Sequence, residues 1–381
     1  MSSFVRRAQP THPEPSGTFD KLSEGTRGCY SNSSDILLTS TGVPSLDRLL
    51  ADGIPVGTVL GIHEDQPRST SNYSSILLKC IIAEGIICGQ HVAILEGDSV
   101  EPNALLKAGL PAPVMSAETK EAQDPAATMD EKMTIAWRYK HLKQLDQELP
   151  PSRLAAGRMT NKGTSPVPQR SFDLGRKVNV EECQRSTGSK LKLSSTMEEG
   201  FMERFWQQCQ ELIAAAKESK TMVRIVIHSV GSPVQSPQDT KNLLYRLCAL
   251  VHSNPENCIL FFSTPAYTLD TCQPALLADL ESFCDVILSL RQFPPEAAKQ
   301  NKTLTDMYGG LMRFVKPLRV PGMLSLMVPE TNDLAFKVKR RHLLFEPFCL
   351  PPDLSESPSR VASSGGGGAG CNSLTSKNLD F

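Results

Sequence analysis

The sequence has almost no net charge and lacks any long apolar run. Its 40 Lys and Arg residues are balanced by 41 Asp and Glu residues, which leaves a formal net charge of −1. This balance excludes a protein that coats nucleic acid by overall charge, although it allows a local basic patch. The longest apolar window, ILLKCIIAEGIIC, is interrupted by Lys79 and Glu84. It is shorter than the ~18–20 residues that span a bilayer, so no transmembrane helix is predicted.

Paired cysteine motifs and a secretory leader are also missing. The 11 cysteines are scattered, and no CxxC pair occurs among them. An odd number without framework spacing predicts reduced thiols in a core rather than a disulfide scaffold. The opening MSSFVRRAQPTHPEPSG has no apolar stretch typical of a signal peptide. We therefore expect a soluble intracellular protein, located in the cytoplasm and also in the nucleus.

Three stretches have little periodic hydrophobicity. Residues 1–34 are rich in Ser, Pro, Gly and Thr, and residues 351–381 contain a run of four glycines. Residues 111–197 are mostly polar and irregular, with one helix-like piece, EKMTIAWRYKHLKQL, in the middle. Such compositions do not bury enough apolar surface to fold alone. The sequence therefore predicts one domain over 35–350, with an irregular insert at 111–197 and two disordered ends.

Between these stretches, short apolar runs alternate with helical patterns. The runs read as strands at 56–63, 91–98, 222–230, 258–263 and 284–290. The segments between them have helical spacing and caps, such as Ser236-Pro237 at the start of one helix. This alternation predicts an α/β fold with a mainly parallel sheet and helices on both faces. The last two segments, 310–320 and 334–347, are predicted to be antiparallel strands that complete the sheet.

The loop after the first strand is where an α/β protein would bind phosphate. It reads HEDQPRSTSNYSS, without glycine or a Gly-Lys-Ser/Thr triplet, and it carries Glu64 and Asp65 where a polyanion would lie. Its candidate phosphate ligands are Arg68, Ser69, Thr70, Ser74 and Ser75. The alternative is a polar loop that only caps the following helix.

Other catalytic and metal-binding features are weak. The strand 222–230 ends in His228 and Ser229, where Mg²⁺-dependent NTPases usually have a carboxylate. Cys248 and His252 lie one helical turn apart, but no third metal ligand is apparent. No catalytic residue and no metal site is predicted. ATP hydrolysis by this chain alone is not expected by the usual route.

A basic cluster lies near the C-terminus, in the stretch KVKRRH. Strand alternation would put Lys337, Lys339 and Arg341 on one face, beside Arg340. Such a stripe suits RNA phosphates or a subunit interface. The alternative is an edge strand whose charges only prevent aggregation. The insert is also basic from 132 to 192 and contains Trp137, for which core packing is favoured over base stacking.

Several segments resemble known sequences. TGVPSLDRLLADGIPVGTVLGI is similar to the entry of a RecA-type core. The segments MTIAWRY, HSVGSP, YGGLMRF, LAFKVKRRHLLFEPFCLPPDL and the terminal LDF resemble, in this order, the PAXNEB family, the fourth subunits of the Elongator complex. The resemblance extends from about Ser40 to the C-terminus, with the variable insert between the matching segments.

The resemblance implies a RecA-like fold without a working phosphate loop. It also implies a heterohexameric ring with Elongator complex proteins 5 and 6, which binds tRNA and serves the Elongator catalytic core in wobble uridine modification. No cofactor is expected in this chain, although ATP is compatible with the ring interfaces. Arg313 and Arg319 are candidates for an arginine offered to a neighbour's nucleotide. The alternatives are a degenerate RecA-type ATPase and a scaffold that never contacts RNA.

Overall fold

The computed structural model of the protein describes eleven segments of the chain and two isolated residues. These are 26–30, 35–50, 53–65, 73–97, 104–107, 109–114, 170–195, 200–232, 235–293, 296, 299, 302–318 and 333–349. All the regular elements below belong to one compact unit, Met1–Phe348. The predictions for 1–25, 115–169 and 350–381, including Trp137, lie outside the described residues.

The chain alternates strands and helices from its first described residues. The strands are β1 Thr26–Tyr30, β2 Asp35–Thr39, β3 Ile54–Pro55, β4 Val59–Glu64, β5 His91–Glu96, β6 Leu110–Pro113, β7 Phe172–Val178, β8 Leu191–Ser195, β9 Val223–His228, β10 Cys258–Thr264, β11 Val286–Gln292, β12 Gly310–Lys316, β13 Leu334–Lys339 and β14 His342–Pro347. The helices are α1 Pro44–Leu49, α2 Tyr73–Ile87, α3 Ala104–Lys107, α4 Val180–Thr187, α5 Phe201–Ser219, α6 Pro237–His252, α7 Ala266–Cys272, α8 Pro274–Phe283 and α9 Lys302–Met307.

Nine strands form the central sheet, in the order β14-β13-β12-β11-β4-β10-β9-β5-β8. The six strands from β11 to β8 are mutually parallel, and β12, β13 and β14 continue the sheet in antiparallel pairs. Every residue of β5, β9 and β10 is buried, as expected for strands covered on both faces. The predicted α/β fold with a mainly parallel sheet and antiparallel C-terminal strands is confirmed.

Helices cover both faces of the sheet and create two apolar cores. The first core contains α1, most of α2 and the inner side chains of β6 and β14. The second contains the inner faces of α5, α6 and α8. Successive residues of β10, such as Ile259 and Leu260, point into different cores. Because side chains alternate along a strand, the same strand contributes apolar residues to both cores.

The structure differs from the sequence prediction at the C-terminal strands. Residues 334–347 were predicted as one long strand, but they fold into a hairpin of β13 and β14 with full pairing from Leu334↔Pro347 to Lys339↔His342. The physical reason is the turn at Arg340 and Arg341, which reverses the chain. β14 is consequently the edge strand of the sheet.

The predicted insert and N-terminal end also contain regular structure. Within 111–197, the described residues 170–195 contain β7, α4 and β8, and β8 is the opposite edge strand of the sheet. Within 1–34, β1 pairs antiparallel with β2. These strands are short and half polar, so pairing with distant strands specifies them more than their own hydrophobicity does. In the described part of the chain, no helix has the length and apolarity needed to cross a membrane.

Candidate functional site

The carboxyl ends of β4 and β9 and the first turn of α2 meet at one edge of the sheet. β4 ends at Glu64, β9 ends at His228, and α2 begins at Tyr73. Folds of this type bind phosphate at such an edge, because a helix N-terminus presents unpaired N–H groups there. Of the five predicted phosphate ligands, Ser74 and Ser75 lie in α2. Arg68, Ser69 and Thr70 lie outside the described residues.

Both serine hydroxyls of this first turn are bonded to side chains of the chain itself. Ser74 Oγ donates a hydrogen bond to the Glu64 carboxylate. Ser75 Oγ lies 2.9 Å from His228 Nε2. A carboxylate near a helix N-terminus satisfies the positive end of the helix dipole. The protein's own anion therefore lies where a bound phosphate would need neutral or positive surroundings.

The ends of β5 and β9 are closed by a partly buried hydrogen-bond network. Gln235 Nε2 donates to the carbonyls of Gly97 and Ser229, at 2.7 and 3.2 Å, and its Oε1 accepts from the N–H of Gly231 at 2.9 Å. Ser229 adopts a φ of 59°, and its N–H donates to Ser263 Oγ at 3.0 Å. The end of β9 therefore carries imidazole, hydroxyl and amide groups instead of a metal-holding carboxylate.

One strand-end carboxylate was missed in the sequence analysis. Glu96 ends β5, is buried, and accepts a 2.7 Å hydrogen bond from the N–H of Leu105. The position of an acid directly after a buried apolar run was the available signal. β10 and β9 separate this strand from β4. Glu96 therefore anchors the segment that contains α3.

Cys248 and His252, which lie one helical turn apart, have structural surroundings. His252 Nε2 lies 3.1 Å from Asp285 Oδ2, and the same carboxylate oxygen accepts the N–H of Val59 at 2.8 Å. Burial raises the pKa of the Cys248 thiol to about 12, so the thiol stays protonated. Among the residues that the structure describes, no group of three or more His, Cys, Asp or Glu side chains is arranged to hold a metal ion.

The predicted basic residues lie at the β13–β14 hairpin, but they do not form one strand face. β13 ends at Lys339, and Arg340 and Arg341 are the two turn residues, with φ angles of 48° and 67°. Lys337 forms an ion pair with Glu346 of β14 and lies 5.2 Å from the ring centroid of Tyr308. The charge of Lys337 is thus engaged within the hairpin, while the turn presents Lys339, Arg340 and Arg341 to solvent.

β7 packs against this turn and brings further cations to it. The N–H of Leu174 donates to the carbonyl of Arg341 at 2.8 Å, and His342 Nδ1 lies 2.8 Å from the carbonyl of Phe172. Arg176 and Lys177, later in β7, are exposed. The sequence analysis missed this contact, although Phe172 and Leu174 show the strand period of two. Of the two candidate arginines for a neighbouring nucleotide, Arg313 is exposed on β12, and Arg319 lies outside the described residues.

Comparison with known proteins finds a family model and relatives that match nearly the whole chain. The family model described as PAXNEB protein matches residues 20–381. The chain is 29% identical to Elongator complex protein 4 of Xenopus laevis, over 94% of this chain and 88% of the relative. It is 29% identical to Elongator complex protein 4 of Homo sapiens, over 100% and 94% of the two chains. A KaiC-like protein from Pyrococcus horikoshii superposes with a TM-score of 0.42 at 12% identity, over 82% of this chain and 100% of that one.

Proposed function

The chain belongs to the PAXNEB family, and from this membership we propose that it is a non-catalytic subunit of the Elongator complex. Its place is in a RecA-like heterohexameric ring with Elongator complex proteins 5 and 6. The ring binds tRNA and supports the wobble uridine modification that the catalytic core performs. The relatives named Elongator complex protein 4, which the chain matches over nearly its whole length, support membership of the complex.

The observation that carries the non-catalytic role is the state of the first turn of α2. Phosphate-binding NTPases keep this turn open and supply a lysine and a metal-binding hydroxyl there. In this protein Glu64 accepts the Ser74 hydroxyl, and His228 bonds Ser75. A nucleotide phosphate would have to displace a carboxylate and break both bonds, at a cost that the neutral hydroxyls do not repay. The subunit's contribution is therefore shape, assembly and charge.

A ring assembled with and without this chain tests the role in tRNA binding. Elongator complex proteins 5 and 6 would be purified alone and together with the full chain, and tRNA binding would be measured at 50 and 200 mM salt. We expect binding that requires this chain and weakens steeply with salt, since each released phosphate counterion adds to the salt slope. Equal tRNA affinity of the assemblies with and without the chain would contradict the proposal.

Nucleotide binding to the isolated chain distinguishes a degenerate ATPase from the proposed non-catalytic subunit. Equilibrium dialysis of the purified full chain against radiolabelled ATP and Mg²⁺ is expected to show no saturable binding. The variant Glu64→Ala is the control, because it removes the carboxylate at the end of β4 that accepts the Ser74 hydroxyl of α2. Saturable binding by the wild-type chain, followed by phosphate release, would favour the ATPase instead.

A further inference from the structure

We propose that the β13–β14 turn and β7 together form one surface that binds the phosphate backbone of RNA. This basic turn surface consists of Arg176, Lys177, Lys339, Arg340 and Arg341. The inference rests on the proposed function, since it assigns to particular residues the tRNA contact that the ring is proposed to make. This set differs from the sequence prediction. It includes Arg176 and Lys177 of β7 and leaves out Lys337, whose charge is paired with Glu346.

The close contact between β7 and the turn depends on a glycine. A Cβ atom on Gly175 would lie 2.4 Å from Cδ and 2.8 Å from Nε of Arg341. The Arg341 side chain therefore lies directly over the backbone of β7. The backbone bond from Leu174 to Arg341 holds the two segments in this register. Arg176 and Lys177, the two residues that follow Gly175 in β7, extend the positive charge away from the turn.

Backbone strain at the turn points to a functional reason for its two arginines. Two-residue hairpin turns with positive φ at both positions favour Asn-Gly, because side chains with a Cβ are strained there. Both arginines adopt this left-handed conformation and carry this strain. Strained residues of this kind concentrate at functional sites. Among the described residues, the ion pairs of the hairpin involve Lys337 and Arg341 but not Arg340.

The charge around the turn is incompletely neutralised. Asp173 Oδ2 lies 3.9 Å from Arg341 Nη1, and the Arg341 side chain remains 67% exposed. The other oxygen of Asp173 accepts the N–H of Gly175 at 2.7 Å. The pKa of Lys79 of α2 is lowered first by burial and then by the charge of Lys177, while Glu96 raises it, so Lys79 and Lys177 repel each other. An anion bound here would relieve this repulsion.

The kinds of side chain in and around the basic turn surface indicate which partner it would bind. Among the described residues, the acids near this surface include Asp173, Glu346, Glu96, which acts on Lys79, and the exposed Glu181 and Glu182 of α4. The five surface residues include no aromatic side chain on which a base would stack. Lys and Arg side chains without base-stacking partners bind phosphate oxygens independently of sequence. A structured RNA read by its backbone, such as tRNA, fits this chemistry.

The test replaces the strained arginines by the residues that the turn prefers. The double variant Arg340→Asn/Arg341→Gly of the full chain would be assembled with Elongator complex proteins 5 and 6. We expect a higher melting temperature of the variant subunit, because the turn strain is relieved. We also expect a roughly tenfold loss of affinity for a tRNA transcript at 50 mM salt and a salt slope smaller by about 1.4, for two lost phosphate contacts. A purely structural turn would gain stability without losing affinity.

A matched control exists at the C-terminus of α5. Lys220 is also left-handed, with a φ of 51°, and Lys217 is exposed in the last turn of the same helix. The double variant Lys217→Gln/Lys220→Gly removes two positive charges and relieves one strained residue. It lies at the end of α5, which packs in the second core and not beside the basic turn surface. We expect it to leave tRNA affinity and the salt slope unchanged.

Each outcome has a distinct meaning. A wild-type ring that does not bind tRNA overturns the proposed function, and this inference falls with it. A wild-type ring that binds, together with a turn variant of equal affinity and equal salt slope, overturns only the surface assigned here. A turn variant that fails to enter the ring, with a lower native mass than wild type, overturns it as well, since the turn would then contact a protein subunit.

Discussion

Arg224, the second residue of β9, carries a guanidinium group that solvent does not reach. Its Nε donates to Gln90 Oε1 at 2.6 Å, its Nη1 to the carbonyl of Ser40 at 2.9 Å, and its Nη2 to Thr39 Oγ1 at 2.7 Å. It thereby joins the end of β2 to the central sheet. Burial raises the pKa of the fully buried Glu84, and Arg224 is the main positive charge that opposes this shift. A buried charge of this kind is stable only while its partners remain.

Substitution of Arg224 tests this network. We expect Arg224→Met to lower the free energy of unfolding by about 3–5 kcal/mol, because it removes the main positive charge near the buried Glu84 and leaves several buried acceptors without their donor. The exposed Arg48→Met is the control, with an expected change below about 1 kcal/mol. The measurement is urea denaturation of the full chain. An Arg224→Met protein as stable as the control would show that the network contributes nothing.

His63, the last residue but one of β4, predicts a specific pH dependence. Burial lowers its pKa to about 4, and its Nε2 has no hydrogen-bond partner among the described residues. Glu281 Oε1 lies 3.7 Å from Nδ1, too far for a strong hydrogen bond. The unfolded chain binds a proton below about pH 6.5, whereas the folded chain does so only near pH 4. Stability is therefore full above the unfolded value and falls as the pH drops through this window.

The effect of His63 is isolated by comparison with a non-titrating variant. Between pH 7 and pH 4 the wild-type chain should lose about 3 kcal/mol more unfolding free energy than His63→Asn. Equilibrium unfolding at several pH values measures the difference, and the carboxylates shared by both proteins cancel. Parallel pH profiles of the two proteins would show that His63 is accessible to protons in the folded state.

At the scale of elements, the junction between α2 and the C-terminal strands positions the first turn of α2. The ring of Tyr73 lies 4.5 Å from that of Phe336, centroid to centroid. Gly309 faces the same ring, since a Cβ on Gly309 would lie 2.5 Å from Tyr73 Oη. The helix therefore packs closely on β13, and Glu64 and His228 meet its serines. Neither contact is predictable from local sequence, because 236 residues separate Tyr73 from Gly309 along the chain.

A double-mutant cycle tests this junction. Gly309→Ala should lower the free energy of unfolding by about 1–3 kcal/mol, because the added methyl group overlaps the tyrosine. Tyr73→Leu leaves space for that methyl group, so the double variant should be more stable than the sum of the single effects by more than 0.5 kcal/mol. Thermal and urea unfolding of the four proteins gives the coupling. Additive effects would show that Gly309 and Tyr73 do not interact.

The elements that sequence reasoning predicts well are those with a single strong signal. β4, β5, β9, β10 and β11 are continuous apolar runs bounded by polar residues, and the structure contains all five within a few residues of the predicted bounds. The hairpin of β13 and β14 has a weaker signal, because two arginines replace the usual Asn-Gly at its turn. β7 and β8 depend on distant pairing partners, which the local sequence does not reveal.

For the whole molecule, the sequence indicates both the fold class and the altered nucleotide site. The missing Gly-Lys-Ser/Thr triplet predicts weak phosphate chemistry, and the structure adds that Glu64 and His228 bond the remaining hydroxyls. The basic turn surface is not predictable from the sequence, because Gly175 and Arg341 lie 166 residues apart and meet only after folding. We propose that this subunit contributes to assembly and supplies charge for RNA binding.

The most direct test of this account is the native mass of the full chain co-purified with Elongator complex proteins 5 and 6. Native mass spectrometry should find one species that contains two copies of each of the three proteins, and omission of this chain should abolish it. A chain that remains monomeric beside both partners would contradict the ring and the function proposed from it.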